Sequence, residues 1–161
     1  MKTILLVLAA LALSFPAHSQ TYPSKPLRMV VNFPPGGAAD QIGRALGAKL
    51  QESLGQPVVV ENRPGANGNI GVVEVAKTAP DGHTLLMSSG GAITTNPHLF
   101  AKLAVDPMKD LEPVAPAAIV SVFLEVKPAI LAQTLQEFIA HVRANPGKLN
   151  YWSPGNGSSA H

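Results

Sequence analysis

The sequence of 161 residues has no cysteine. That excludes disulfides, thiolate metal centres and a lipid-bearing N-terminal cysteine. Charge is sparse, at 14% of residues, and aromatics sparser, at 5%. Lys25, Arg28, Arg44, Lys49, Arg63, Lys77 and the later cations are scattered without interleaved aromatics. They make no basic stripe, so a nucleic-acid partner is excluded. Beyond the first twenty residues no apolar run approaches the roughly 20 residues of a membrane-spanning helix. Several catalytic and nucleotide motifs are also missing. Gly65, Gly68 and Gly71 have the wrong spacing for a dinucleotide fingerprint, and no P-loop Gly-Lys-Ser/Thr occurs. Neither Gly-x-Ser-x-Gly nor His-Glu-x-x-His is present. His83, His98, His141 and His161 are dispersed and read as surface or capping residues.

What is present begins with a leader. Lys2 precedes the apolar run Ile4 to Leu13, then Pro16 and the small residues Ala17 and Ser19. This is a secretory signal peptide over residues 1–19, with cleavage expected after Ser19. Its removal takes away Lys2 and no acid, so the net charge of +2 becomes +1. An exported domain without disulfides must rely on its core.

Leu27 to Val31 is a nearly continuous apolar run of the kind that buried parallel strands show. After the turn Asn32 to Asp40, a helix is expected to run to about Leu54, with Ile42, Leu46, Leu50 and Leu54 on its apolar stripe and Gly55 as its stop. Val58 to Asn62 is a second strand. A glycine-rich turn from Arg63 to Gly71 leads into a short helix with Ile70, Val73 and Ala76 on one face. Thr84 to Ser89 is a third strand, and Asn96-Pro97 is expected to cap a helix through Leu103. Strands alternating with helices predict an α/β protein with a mostly parallel sheet.

The pattern changes at Val114 to Val126, a long β-branched run expected to be a strand, broken near Pro116, that passes from a first domain (20–119) to a second (120–161). Thr134-Leu135-Gln136-Glu137 is a capping box opening a helix with Leu135, Phe138, Ile139 and Val142 on one face. Leu149 to Trp152 reads as a further strand, followed by the turn Ser153 to His161. One helix and two partial strands cannot bury a core, so the second domain is expected to be truncated.

Turns follow strand ends at Pro34 to Asp40, Ser88 to Thr95 and Ser153 to His161. In open parallel sheets the crevice beyond the strands' carboxyl ends takes the ligand. Gly36 and Gly37 both permit positive φ, and free N–H groups at a helix start favour an anion. The first turn is therefore either a plain capped connection or an anion site, and Ser88 and Ser89 are either turn-capping or ligand-binding residues. On the anion-site reading, valine at Gly37 should impair binding far more than loss of Arg44, placed on the helix surface beyond the turn.

A set of motifs then carries a resemblance: Tyr22-Pro23-x-Lys25-Pro26, Phe33-Pro34-Pro35-Gly36-Gly37-x-x-Asp40, Glu61-Asn62-Arg63-Pro64-Gly65-Ala66-x-Gly68-Asn69-Ile70-Gly71, Pro80-Asp81-Gly82-x-Thr84-Leu85, and Asn145-Pro146-Gly147-Lys148-Leu149-Asn150-Tyr151 followed by Ser153-Pro154-Gly155-Asn156-Gly157-Ser158. Together they resemble the Bug family of periplasmic solute receptors of tripartite tricarboxylate transporters. The resemblance implies a type II periplasmic-binding-protein fold, two α/β domains closing about a hinge. It implies a small carboxylate ligand (a dicarboxylate, tricarboxylate, acidic amino acid or aromatic acid), transient contact with transporter membrane subunits, no cofactor, no metal and a monomer at full length. Carried over by position, the first-domain ligand residues are Phe33, Pro35, Gly36, Gly37, Ala38 and Asp40, with Ser88, Ser89 and Gly90 beside them. Ser153, Gly155, Asn156, Gly157, Ser158, Ser159 and His161 form the closing loop, His161 reading equally as a helix-start residue. Trp152 stands where family members usually carry a small residue. The alternatives are an exported α/β hydrolase-like enzyme and a truncated product without function.

Overall fold

The computed structural model describes residues 21–151. The signal peptide, Trp152 and the closing-loop residues Ser153, Gly155, Asn156, Gly157, Ser158, Ser159 and His161 lie outside the described residues.

The apolar run Leu27–Val31 is β1, the centre of a three-stranded parallel sheet flanked by β2 (Val58–Asn62) and β3 (Thr84–Met87). Met29 pairs with Val60 on one side and Leu85 on the other. Helices lie on both faces, which is why Leu27, Met29, Val30 and Val31 are all buried despite strand alternation.

Helix α1, Ala38–Leu54, covers one face and ends where expected, Gly55 taking φ +67 and donating its N–H to Gln51 O at 3.0 Å. The contact stripe differs from the expected one. Gly43 and Gly47 are the buried positions, and a Cβ there would come within 3.0 Å of Val31 Cγ2 and 3.1 Å of Val60 Cγ2. Ile42, Leu50 and Leu54 flank this seam half-buried, and Leu46 is exposed. The valines and methionines of the sheet fill the gap, so the helix approaches along its smallest residues. The same correction holds on the opposite face for α2, Asn69–Ala76. There Gly71, Val72 and Val75 are buried, while Ile70, expected inside, is 52% exposed.

Beyond β3 the chain enters a π-helical turn, Gly91–Thr95, and then α3, Asn96–Leu99, followed by α4, Pro107–Asp110. The helix expected from Asn96 to Leu103 thus starts earlier and stops sooner. Asn96 does not cap it, because its buried side chain is hydrogen-bonded to Asn67 and Asn69. His83, expected at the surface or in a cap, is also buried. Its Nε2 accepts the Ser24 N–H at 3.3 Å, while Tyr22 Oη donates to Gly82 O at 2.8 Å and Lys25 pairs with Asp81 at 2.7 Å. These bonds tie the segment before β1 to the start of β3.

Val114 to Val126 forms no strand, and Leu149 to Tyr151 forms none either. Val114 to Val126 has no ladder partner among the described residues, and extended chain without one is not a sheet. Ile119 is 98% exposed and Phe123 81%. Helix α5, Leu135–Ala144, forms as expected: Thr134 Oγ1 accepts the Glu137 N–H at 3.2 Å, and Glu137 Oε2 accepts the N–H of Gln133 at 2.7 Å. None of its residues is buried.

Candidate functional site

The parallel register sets Val31 beside both Asn62 and Met87, so the strands' carboxyl ends lie side by side and the turns that follow start from one edge. The first turn is held from below. Asp40, buried at the start of α1, accepts the Gly36 N–H at 2.9 Å and the Asn62 Nδ2 proton at 2.9 Å. The Arg44 guanidinium lies 2.9 Å from the same carboxylate and also donates to Asn62 Oδ1 at 2.9 Å. That guanidinium, with the Gly36 and Asn62 donors, holds the Asp40 carboxyl down at about 2, against a usual 3.8. Arg44 lies on the helix surface beyond the turn as expected, half its side chain exposed, and from there it also reaches back one turn and braces the loop. Asn62 completes the brace by donating to Phe33 O at 3.1 Å.

Of the two glycines only Gly36 has positive φ, at +83. Gly37 is extended, φ −77 and ψ 172, and a Cβ there would meet only Pro34 O at 3.6 Å. The requirement for glycine falls on Gly36, correcting the expectation for Gly37. Pro35, Gly36, Gly37 and Ala38 are exposed, and Phe33 is half-buried. The first helical bond runs from Gln41 N–H to Gly37 O at 3.0 Å, leaving the N–H groups of Ala38, Ala39 and Asp40 with no acceptor inside the helix.

The second turn holds the two non-glycine residues with positive φ among the described residues. Gly65, Ala66, Asn67 and Gly68 all have positive φ, at 127, 46, 53 and 88. For alanine and asparagine this costs about 1–2 kcal/mol each. The conformation is stapled by Gly68 N–H to Gly65 O at 2.9 Å and by an amide exchange with Asn96: Asn67 Nδ2 donates to Asn96 Oδ1 at 2.8 Å, and Asn96 Nδ2 donates to Asn67 O at 3.0 Å and Asn69 Oδ1 at 2.9 Å.

The third turn contains Ser88 and Ser89, both half-buried, and the exposed Gly90. Ser88 Oγ accepts from Asn32 Nδ2 at 2.8 Å and donates to Ser89 O at 3.3 Å. Phe33 to Asp40 and Ser88 to Gly90 thus leave from the same edge of the sheet. Sequence reasoning missed the asparagines that join the turns, namely Asn32, Asn62, Asn67 and Asn96. Two had a legible signal, since Asn32 directly follows the mostly apolar β1 and Asn62 ends the mostly apolar β2.

Charge around the crevice is internally compensated. Arg28 bonds Glu61 at 2.9 Å and also Glu74, and Arg63 pairs with both acids at 3.0 and 3.3 Å. Hydrogen bonds from Arg28 pull both glutamates below their usual range. Among the described residues, the turns at this edge offer backbone N–H groups and hydroxyls, while Arg28, Arg44 and Arg63 are each paired with a carboxylate. Among the described residues no cluster of three or more His, Asp or Glu could hold a metal. A mostly apolar groove of about 340 Å³ lies along α2 between Ile70, Val73, Phe100 and Val105, and none of the expected ligand residues lines it.

The α/β chain with its open parallel sheet superposes on solved periplasmic binding proteins. Rpa4515 of Rhodopseudomonas palustris, solved with adipate, matches with a TM-score of 0.75 and 33% identity over 80% of this chain and 43% of that one. MatC of the same organism, solved with malate, matches with a TM-score of 0.65 and 34% identity over 76% and 42%. The family described as the tripartite tricarboxylate transporter family receptor matches residues 42–161, and the chain belongs to it. The relative BugT of Bordetella pertussis is 40% identical over 155 residues, 96% of this chain and 48% of BugT. The chain spans about half the length of the curated relatives it matches. This is a family of solute-binding receptors and not of enzymes, so the hydrolase alternative falls.

Proposed function

We propose that the protein is a periplasmic receptor that binds a small carboxylate at the carboxyl edge of the sheet and hands it to the membrane subunits of a tripartite tricarboxylate transporter. The observation that carries this reading is the first turn. Its exposed face ends in helix N–H groups without helical acceptors, while the nearby charges Asp40 and Arg44 are paired with each other. Hydrogen bonds from N–H groups to a carboxylate are about twice as strong as neutral ones, so the ligand needs no arginine. Phe33, Pro35, Gly36, Gly37 and Ala38 form one side of the proposed site with Ser88, Ser89 and Gly90, and Asp40 supports it from beneath. Ser153, Gly155, Asn156, Gly157, Ser158, Ser159 and His161 form the side that closes, the first belonging to a domain over 20–119 and the second to one beginning at 120. Malate in MatC and adipate in Rpa4515 support the carboxylate class. Export follows from the leader, and N-terminal sequencing of the periplasmic product should find Gln20 first.

Thermal melts and calorimetric titration against malate, adipate and citrate test the reading. Saturation at about 100 times Kd should add roughly 2.7 kcal/mol of stability and raise Tm in a concentration-dependent way. A protein folded by circular dichroism that shows neither heat nor shift with any of the three acids would overturn it.

A further inference from the structure

We propose that Asn32 is a positioning residue: one buried amide sets ligand affinity by clamping the second and third turns to the strand from which the first turn departs. This rests on the crevice being the ligand site. Asn32 follows β1, is fully buried, and donates from Nδ2 to two different turns, to Gly68 O at 3.1 Å and Ser88 Oγ at 2.8 Å. Its Oδ1, equally buried, has no hydrogen-bond partner. Burying such an acceptor is unfavourable, and an apolar residue would fill the end of this strand without that penalty. The amide's contribution is therefore its two donated bonds.

The surrounding backbone is shaped to that side chain. A Cβ on Gly68 would lie 2.5 Å from Asn32 Nδ2, and one on Gly71 would lie 2.6 Å from Asn32 Cβ. Both glycines leave room for Asn32 and for nothing larger at their own positions. Through Gly68 the clamp reaches the strained segment from Gly65 to Gly68, and through Ser88 it orients the hydroxyl that donates to Ser89 O. The first turn begins at the next residue, Phe33. Removing the donor frees these turns from one another while leaving the β1 ladder intact.

Asn32→Asp is the discriminating variant, because it keeps the shape and exchanges the donor for an acceptor. Ionised, the introduced carboxylate faces Gly68 O and can donate nothing. When protonated, it regains one O–H donor, and burial beside a carbonyl raises its pKa toward neutrality. The ionisable groups on the neighbouring elements are Arg28 on β1, Asp40, Arg44, Lys49 and Glu52 on α1, Glu61 on β2, Arg63 in the second turn, Glu74 on α2 and His98 on α3. The unsubstituted protein carries them all, so its affinity at each pH is the reference. Binding of malate or adipate by Asn32→Asp should be about tenfold or more weaker at about pH 7.5 and should approach the reference by about pH 5. Amide hydrogen exchange should show faster opening at Gly68 and at Ser88 to Gly90 at the higher pH, slowing to reference rates at the lower, with β1 protected throughout. A variant-to-reference ratio that does not change with pH, or exchange accelerated equally in β1, overturns the proposal. Should the unsubstituted protein bind neither acid, the receptor reading fails by itself, and the exchange pattern alone decides the clamp. If Asn32→Asp does not fold, Ser88→Ala removes one acceptor: faster exchange confined to Ser88 to Gly90 with weaker binding supports the clamp, and no change in exchange there overturns it.

Discussion

Two stretches of this chain carry the same local signals and end up differently. Leu27 to Val31 and Val114 to Val126 are both apolar, β-branched runs next to a well-marked helix. The first is a fully paired central strand between two helices; the second pairs with nothing among the described residues and stands exposed. The helices do not share this contrast. α5 forms as completely as α1, although it buries no residue. A helix satisfies its backbone internally and needs only its caps, whereas a strand depends on neighbours that its own sequence does not supply.

That contrast can be broken most severely at Gly71. Valine there would force its Cβ into Asn32 and the Arg63 carbonyl, displacing α2, and should destabilise the sheet by about 3 kcal/mol or more. A large fall in urea midpoint is the expected result. Gly36→Val should cost about 1–2 kcal/mol, because a β-branched residue resists φ +83 even with open space around it, and should weaken carboxylate binding. Gly37→Val, where φ is −77, should leave stability nearly unchanged; equal effects at the two positions would contradict the turn geometry.

Loss of the α5 cap sharpens the comparison differently. Thr134→Ala should cost about 1 kcal/mol of local helix stability. Because α5 is not buried, hydrogen exchange should quicken over Leu135 to Ile139 while protection in β1 stays the same. Acid acts on the packed region. Asp40 has a folded pKa of about 2, below its usual 3.8, so its contribution is fully present above about pH 4 and is lost as pH falls toward 2. Asp40→Asn should flatten that part of the stability profile, and an unchanged acid limb would argue against the brace. The exposed run should be as insensitive as Gly37. Phe123→Ser, at a residue 81% exposed, should change the unfolding free energy from a urea titration by less than about 0.5 kcal/mol, yet reduce self-association seen by light scattering.

The candidate crevice was only partly legible beforehand. Its glycine turns announced themselves, as did the order of strands and helices, because glycine, proline and apolar periodicity act over a few residues. The asparagine network did not, since each amide finds its partner far along the chain: Asn32 with Gly68 and Ser88, Asn96 with Asn67 and Asn69. The reach of Arg44, which is exposed on the helix as expected, was not legible for a related reason. Counted along the helix it lies beyond the first turn, but its side chain extends back to Asp40 and across to Asn62.

By itself the sequence determined the turns that follow β1 and β2, the helices α1, α2 and α5, and that β1 would be an interior strand. Those outcomes rest on backbone preference, capping and apolar runs, which are local. Only the tertiary structure decided that α1 would meet the sheet along Gly43 and Gly47 and α2 along Gly71, Val72 and Val75, that Gly36 and not Gly37 would carry the positive φ, and that Val114 to Val126 would pair with no strand among the described residues. Each depends on the shape of a surface contributed by another part of the chain. A residue's own chemistry sets what it can form, and the distance to its neighbour sets what it does form.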